Sequence, residues 1–276
     1  MTRPINILTL STLFPNVSAP SFGIFVERQT AELASRPGAN STVINPIGIP
    51  PWPLSKLAHY AAVSDLPERE EWRELDVHRP RFKLIPKIGG AGNPRRIADA
   101  IFPLIRTLHE QSSFDVIDAE FFYPDGPAAM RLAAALDIPF TIKARGADIH
   151  HWGSDPQCRG QIRQAADKAS ALLAVSEALK QDMIHLGIDG SKIAVHYTGL
   201  DQDKFIPIDR VAAKRALGVS GPLFITTGAM IKRKNQDLVI RAMASFPEAQ
   251  LMIAGKGEEE QNYRALANQL GVANRV

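Results

Sequence analysis

The chain has 276 residues, of which 45% are hydrophobic and 22% are charged, and its formal net charge is +3. This composition is typical of globular proteins and excludes a disordered or fibrous class. The single cysteine, Cys158, excludes an intramolecular disulfide and fits a reducing compartment. The amino terminus is too polar for a signal peptide, and no apolar run is long enough to span a bilayer. We therefore expect a cytoplasmic protein.

Strands and helices alternate along the first two hundred residues. Apolar runs predict strands at 5–11, 41–47, 82–85, 114–120, 138–143, 170–176 and 192–196. Helical spacing and turn residues predict helices at 23–33, 65–74, 95–108, 125–136, 159–169 and 176–187. In this scheme Asp125 and Ser176 are helix caps. The alternation is typical of a doubly wound parallel sheet, so we predict an α/β fold.

A second unit repeats the pattern after a predicted linker. We expect a first domain at 1–200, a linker at 201–217 and a second domain at 218–276. The second domain has predicted strands at 222–228 and 250–257 and predicted helices at 237–245 and 259–270. Two strands with two helices cannot bury both faces of a sheet, so we expect this domain to be truncated at residue 276.

Charged residues follow directly after the predicted strand at 138–143. Ligands bind at the carboxyl ends of parallel strands, so Arg145, Asp148 and His150 are expected at the mouth of a cleft. Asp148 fits a helix cap as well as it fits a catalytic base. His150, His151 and Cys158 have no fourth ligand at suitable spacing, so we expect no metal site.

Gly23 lies between a loop and a predicted helix, where backbone N–H groups can bind an anion. A plain turn glycine is the alternative interpretation.

Six basic residues within a short segment alternate with apolar ones. One interpretation is a surface for anionic lipid head groups or a phosphorylated acceptor, and the other is a solvated face of a strand and a helix start. Nucleic acid is not expected, because no aromatic stacking platform accompanies the charge. The basic residues are Arg79, Arg81, Lys83, Lys87, Arg95 and Arg96, and the apolar ones are Phe82, Leu84, Ile85 and Ile88.

Several stretches, taken in order, resemble the retaining family-4 glycosyltransferases. They are FPNVSAPSFGIFVERQ, DVIDAEFFYPDG, ARGADI, AVSEALKQDMIHLGI, KIAVHYTGLDQDKF and TTGAMIKRKNQDLVIRAM. The resemblance implies the GT-B architecture, in which two Rossmann-like domains face each other across a cleft. It also implies transfer of a sugar from a nucleotide-sugar donor to a saccharide or lipid-linked acceptor, with retention and without a metal or other cofactor.

The resemblance also assigns residues to the donor. The leaving nucleotide diphosphate carries charge that must be neutralised as the glycosidic bond breaks. Gly23 is expected to face the diphosphate from the first domain. From the second domain, the expected donor-binding residues are Gly228, Arg233, Lys234, Gly255 and Gly257. The arginine that often follows the first of these glycines in the family is Ala229 in this chain.

Other positions are expected to contact the acceptor or the sugar. Phe22, Tyr123 and His150 are the expected acceptor contacts. Arg145 stands where many relatives have histidine, and Asp118 and Glu120 also replace histidines. We predict that Glu120 and Arg145 pair across neighbouring strands and orient hydroxyl groups, with Asp148 as a third catalytic candidate.

Two alternative functions remain open. A pair of glutamates that the family uses to hold the donor would lie beyond residue 276, so we expect transfer by this chain to be absent or impaired. A non-catalytic acceptor-binding remnant is one alternative. A sugar-nucleotide epimerase of similar fold is the other, although the ARGADI turn favours a transferase. Peripheral contact with the inner face of an anionic membrane is a further expectation, based on the basic segment.

Overall fold

The computed structural model describes residues 3–86 and 89–276, which divide into a unit that ends at Gly199 and a unit that begins at Leu200. The strands of the first unit are β1 (Ile5–Leu10), β2 (Ala39–Ile44), β3 (Ile47–Ile49), β4 (Arg69–Trp72), β5 (Leu75–His78), β6 (Arg81–Lys83), β7 (Val116–Ala119), β8 (Phe140–Ala144), β9 (Ala171–Ala174) and β10 (Ile193–Val195). Its helices are α1 (Ile24–Ala34), α2 (Ala58–Ser64), α3 (Asn93–Gln111), α4 (Asp125–Leu136), α5 (Ala147–His150), α6 (Pro156–Lys168) and α7 (Glu177–His185).

Eight of these strands form one sheet in the order β10-β9-β8-β7-β1-β2-β5-β4. β4 runs antiparallel to β5, and the other described pairs of this sheet are parallel. β3 and β6 form a separate parallel pair. The strands lie outward in both directions from β1 and β7, so the junction of these two is the topological switch point.

Helices cover both faces of the sheet. Val43 and Ile44 are successive residues of β2, so their side chains point to opposite faces. Ile44 belongs to the larger core, with Leu8, Leu10, Ile117 and Ile142 from the strands and Ile97, Ile101, Leu132 and Ile162 from α3, α4 and α6. Val43 belongs to a smaller core with Phe14, Val26, Leu75 and Val77, which includes α1. The sheet is therefore doubly wound, as the alternation of elements predicts.

The prediction of a helix at 65–74 is wrong. This segment is β4 followed by a two-residue turn, in which Arg73 and Glu74 have φ of 48° and 66°. Exposure alternates along β4, with Arg69 and Glu71 exposed and Trp72 turned partly inward. The charged residues cover the solvent side of an edge strand, which is where charge protects a sheet.

Asp125 does not cap α4, contrary to the prediction. Pro124 occupies the cap position, and Asp125 is the first residue of the helix. Ser176 does cap α7, because its hydroxyl accepts from the backbone N–H of Leu179 at 3.1 Å.

The second unit contains α8 (Arg210–Ala216), β11 (Leu223–Thr227), α9 (Gln236–Ala242), β12 (Gln250–Ala254) and α10 (Glu260–Gln269). β11 and β12 pair in parallel, and the core lies between them and the two later helices. The range 201–217, predicted as a linker, includes α8, whose cap is the side chain of Asp209.

Candidate functional site

The loops after β1, β7 and β8 meet at one edge of the first unit's sheet. β1 pairs with β7, and β7 pairs with β8. The backbone N–H of Glu120, just past β7, donates to the carbonyl of Leu10 at the end of β1. Ligands of open α/β sheets bind at this kind of edge, beside the switch point.

Four charged side chains cluster at the ends of β7 and β8. Lys143 Nζ lies 2.7 Å from Glu120 Oε1 and 3.6 Å from Asp118 Oδ2. Arg145 Nη2 contacts Glu120 Oε2, so the predicted pair is present. Lys143, Glu120 and Arg145 are all buried, with side-chain exposures of 1%, 2% and 5%. Burial and the Asp118 charge raise the pKa of Glu120, whereas the two cations oppose the rise.

Arg145 also joins this cluster to α1. Its Nη2 donates to Gln29 Oε1 at 3.1 Å, and its Nε lies 3.3 Å from the carbonyl oxygen of Glu120. The guanidinium carbon is 5.0 Å from the centre of the Phe25 ring. Its Nη1 is buried and has no hydrogen-bond partner among the residues that the structure describes. One nitrogen of a firmly held cation therefore lies buried and unpartnered, among the described residues, at the edge of the sheet.

Asp148 is fully buried, and backbone N–H groups surround its carboxylate. Oδ2 accepts from Phe122 at 2.7 Å and Oδ1 from Gly146 at 2.7 Å, and Arg145 donates to both oxygens. Burial raises the pKa of Asp148, and these donors act in the opposite direction. Asp148 is not the cap of α5, contrary to one of the two interpretations, because Gly146 occupies that position and Asp148 lies within the helix. Its carboxylate fixes the turn after β8 instead.

Gly23 lies at the start of α1 with φ of 67°, in the left-handed region. A Cβ at this position would be 2.5 Å from the carbonyl carbon and oxygen of Leu13, so only glycine fits. No side chain in the described part of the chain caps this helix. The N–H of Val26 donates to the carbonyl of Gly23 at 2.8 Å, whereas those of Ile24 and Phe25 have no partner among the described residues and can bind an anion.

The three predicted acceptor contacts differ in exposure. Phe22 is 49% exposed, and the His150 ring is exposed with its Nε2 2.9 Å from Asp182 Oδ2. Tyr123 is completely buried, and its hydroxyl donates to the carbonyl of Gly90 at 2.9 Å. A direct contact of Tyr123 with an acceptor is therefore incompatible with the structure.

In the second unit, the loops after β11 and β12 lie side by side. A Cβ on Gly255 would be 1.9 Å from the carbonyl oxygen of Gly228, and one on Gly257 would be 2.2 Å from that of Met230. Lys234 follows in a short helical turn and lies over Gly228, with its Cε 3.8 Å from where a Cβ on that glycine would be. Arg233 lies in the same turn and is exposed. The predicted donor residues of this unit are thus brought together at the carboxyl ends of its two strands.

Most of the basic segment is engaged within the protein. Arg79 is fully buried and contacts Glu70, and Arg81 donates to the carbonyl of Leu66. Arg96 donates to the carbonyl of Gly89. Lys83 and Arg95 are exposed, whereas Lys87 and Ile88 lie outside the described residues. The solvated-face interpretation is wrong for Arg79, because its guanidinium makes buried hydrogen bonds.

Within residues 3–86 and 89–276, no group of three or more His, Cys, Asp or Glu side chains is placed to hold a metal ion. In the same part of the chain, every helix is too short or too polar to cross a membrane.

Sequence reasoning missed Lys143 and Gln29. Lys143 precedes Arg145 by two residues, just as Asp118 precedes Glu120 on the neighbouring strand. Side chains two apart on a strand share a face, so this matched spacing was the signal for a four-charge cluster. Gln29 carries no comparable signal, because its contact depends on how α1 packs.

Comparison with known proteins agrees with this arrangement. The sequence model of glycosyltransferase family 4 matches residues 43–204, more than half of the chain. The chain belongs to glycosyltransferase family 4. The model of the group 1 glycosyl transferases matches residues 208–276.

A curated relative is TuaC of Bacillus subtilis strain 168, whose name assigns it to glycosyl transfer in teichuronic acid biosynthesis. It is 26% identical over 257 residues, which cover 89% of this chain and 64% of TuaC. The chain thus spans less than two thirds of that relative.

Two solved structures share the fold. Sucrose-phosphate synthase of Thermosynechococcus elongatus has a TM-score of 0.68 at 14% identity, covering 99% of this chain and 69% of that one. HepE of Anabaena in complex with UDP has a TM-score of 0.65 at 19% identity, covering 99% and 68%. At these identities the likeness concerns the fold, which is of the GT-B type, with two α/β units in succession along the chain.

Proposed function

We propose that this chain belongs to a glycosyltransferase that moves a sugar from a nucleotide-sugar donor to a saccharide or lipid-linked acceptor, with retention of configuration at the anomeric carbon. The observation that carries the proposal is the edge of the first sheet. There, the uncapped start of α1 lies beside Arg145, whose Nη1 is buried and unpartnered among the described residues. Free N–H groups and a fixed cation are what a departing diphosphate requires.

The residues divide the work in the following way. The amides that follow Gly23 are the anion-binding groups of the first unit, and Lys234 and Arg233 are those of the second. The Arg145 guanidinium, held in place by the Glu120 carboxylate, orients sugar or acceptor hydroxyls at this edge through its fixed charge. Asp148 fixes the turn that carries Arg145. No resident metal or cofactor takes part in this scheme.

Nucleotide binding tests the donor part of the proposal. Thermal unfolding is measured with UDP, GDP and ADP as probes, because a ligand that binds the folded state raises the melting temperature. We expect one of the three to raise it and Lys234→Ala to reduce the shift. Arg36→Ala is the matched control, because Arg36 is an exposed cation just beyond the end of α1 that pairs with Glu32. No shift with any nucleotide would contradict the proposal.

Turnover tests the chemistry. Release of nucleoside diphosphate from the matching nucleotide-sugar is measured with and without saccharide acceptors, and NMR of the product reports its anomeric configuration. We expect Arg145→Lys to lower kcat more than it raises KM, because lysine keeps the charge and loses the guanidinium geometry. An inverted product would contradict retention.

A further inference from the structure

Asp125 is a buried carboxyl group that the proposed chemistry does not use. It is the first residue of α4 and is completely inaccessible to solvent. Its Oδ2 accepts from the backbone N–H of Thr12 at 2.9 Å. Its Oδ1 is buried and has no partner among the residues that the structure describes. Such a group is costly to bury, so a specific contact should justify it.

Thr12 belongs to the loop at 11–23 that joins β1 to α1. Asn45 Nδ2 donates to the carbonyl of Ser11 at 2.7 Å, and Arg79 Nη2 donates to the carbonyl of Pro15 at 2.8 Å. Asp125 holds the loop between these two points. Among the described residues, its carboxyl group is the only side-chain acceptor for the Thr12 amide.

The held segment touches the start of α1 directly. The carbonyl of Leu13, the residue after Thr12, lies so close to Gly23 that an added Cβ would be 2.5 Å away. Protein interiors transmit small displacements because they are tightly packed. A shift of Thr12 would therefore move Leu13 against Gly23 and change where the first N–H groups of α1 point.

We propose that Asp125 is a positioning residue for the anion-binding start of α1, acting through the amide of Thr12 and the carbonyl of Leu13. The role as a positioning residue rests on the proposed function, because it supposes that α1 receives the diphosphate. The contact itself does not depend on that supposition.

The ionisation of Asp125 supports a role for this contact near neutral pH. Burial raises the pKa of Asp125 to about 8, and the N–H and hydroxyl of Thr12 oppose the rise. Glu120, after β7, and Asp148, on α5, face it and raise the pKa further through their charge. Lys143 and Arg145 lie beyond Glu120 and partly neutralise it. At pH 7 the group is mainly protonated, so asparagine is a close mimic of its working state.

Amide hydrogen exchange of the full chain tests the contact without requiring activity. Wild type, Asp125→Asn and Asp125→Ala are compared at pH 7, with the loop at 11–23 as the readout. We expect Asp125→Asn to keep the slow exchange of Thr12, because its side-chain oxygen can still accept. Asp125→Ala should exchange about tenfold faster there, as expected for one lost hydrogen bond.

Asp155→Ala is the matched control. Asp155 also accepts from two backbone N–H groups at a helix start, those of Gln157 and Cys158, but it does not touch the loop. It should speed exchange at the start of α6 and leave the loop unchanged. If Asp125→Ala leaves the exchange of Thr12 unchanged, the proposal is overturned.

A pH comparison keeps the test decisive if Asp125→Ala does not fold. Between pH 7 and pH 9, protection of the loop should change in wild type but not in Asp125→Asn, after correction for intrinsic exchange, because only wild type gains a charge at this position. Ionised Asp125 then stands beside Glu120 and Asp148, whereas asparagine carries no charge. Identical behaviour of the two proteins across this range would overturn the proposal.

Nucleotide affinity separates this inference from the proposed function. If a nucleotide binds wild type, Asp125→Ala should weaken the affinity for it about tenfold, and Asp125→Asn should bind it as wild type does at pH 7. If no nucleotide binds wild type while the exchange results are as expected, glycosyl transfer is contradicted and the loop contact is supported.

Discussion

Buried charge is concentrated at the ends of β7 and β8, where Glu120 lies between Lys143 and Arg145. Burying such groups is unfavourable unless each one is paired, and even a paired network adds little net stability. The network is better explained by the geometry that it imposes. It fixes a guanidinium at the switch point with one nitrogen still unpartnered among the described residues.

Replacing Glu120 tests how strongly these charges depend on each other. Glu120→Gln leaves two buried cations without their carboxylate, so we expect the free energy of unfolding to fall by about 3 kcal/mol. Urea denaturation measures it. Glu32→Gln, which breaks an exposed pair with Arg36, should change little. A similar small effect for both variants would show that the buried network is not coupled.

Asp125 should make stability depend on pH. Its pKa in the folded protein is about 8, above the ordinary value of 3.8. Between these values the folded state binds more protons, so the contribution of Asp125 is complete below pH 3.8 and is lost as pH rises through 8. We expect Asp125→Asn to raise the melting temperature above pH 4, with a gain that grows up to about pH 8.

For Asp155→Asn we expect the opposite pH dependence of stability. Backbone N–H groups of Cys158 and Gln157 lower the pKa of Asp155, so its contribution is present at neutral pH and is lost on acidification. Melting curves of wild type, Asp125→Asn and Asp155→Asn at pH 3, 5, 7 and 9 test both expectations. A gain for Asp125→Asn that is the same at every pH would contradict the raised pKa.

The sequence predicted the Glu120–Arg145 pair because both residues follow buried strands that are neighbours in a parallel sheet. It did not predict that Asp148 or Tyr123 is buried. Burial at these positions depends on long-range packing, such as the contact of Asp148 with Phe122 and that of Tyr123 with Gly90. The local sequence pattern does not predict such long-range contacts.

At the scale of elements, α1 and the loop before it form the part of the candidate site that the backbone builds. Gly23 and Gly38 both have positive φ, at 67° and 90°, but their surroundings differ. A Cβ on Gly23 would strike the Leu13 carbonyl, whereas one on Gly38 would meet nothing within 4 Å. A side chain at Gly38 would therefore cause backbone strain alone, whereas one at Gly23 would add a steric clash.

Alanine substitution at both glycines measures the difference. Gly38→Ala should lower the free energy of unfolding by about 1 kcal/mol, the penalty for a left-handed alanine. Gly23→Ala should lower it by about 3 kcal/mol or more, because overpacking adds to that penalty. Chemical denaturation gives both values, and equal losses would show that the loop yields easily to the added methyl group.

Element type followed from pattern where a hydrophobic period was clear, as in β1 and α3. It failed at 65–74, where a run of Glu and Arg favours a helix by intrinsic propensity. Pairing of β4 with β5 overrides that preference, and the turn at Arg73 and Glu74 needs a left-handed backbone that these residue types rarely supply.

For the whole molecule, the formal net charge is +3. The basic segment near β6 contributes fewer free cations to the surface than its sequence suggests. Arg79, Arg81 and Arg96 direct their guanidinium groups to protein oxygens. Lys83 and Arg95 remain exposed, and Arg95 lies 3.4 Å from Asp99. Electrostatic attraction to a lipid surface scales with the number of free cations.

We therefore expect weak binding to anionic membranes through this segment. Sedimentation with phosphatidylglycerol vesicles at low and physiological salt measures it, and Lys83→Glu combined with Arg95→Glu should change the bound fraction little. Lys204→Glu, an exposed lysine of the second unit, is the matched control. Strong, salt-sensitive binding that the double variant abolishes would support the membrane interpretation.

The central position of β1 also has a consequence for biosynthesis. β1 is synthesised before its two neighbours, and β2 follows it soon after. Its other neighbour, β7, comes much later: the backbone N–H of Asn6 binds Asp115, 109 residues along the chain. Until that segment is translated, one side of an apolar strand has no partner and is open to pairing with other nascent chains. The same strand order that creates the switch point thus leaves one side of β1 unpaired over a long stretch of synthesis.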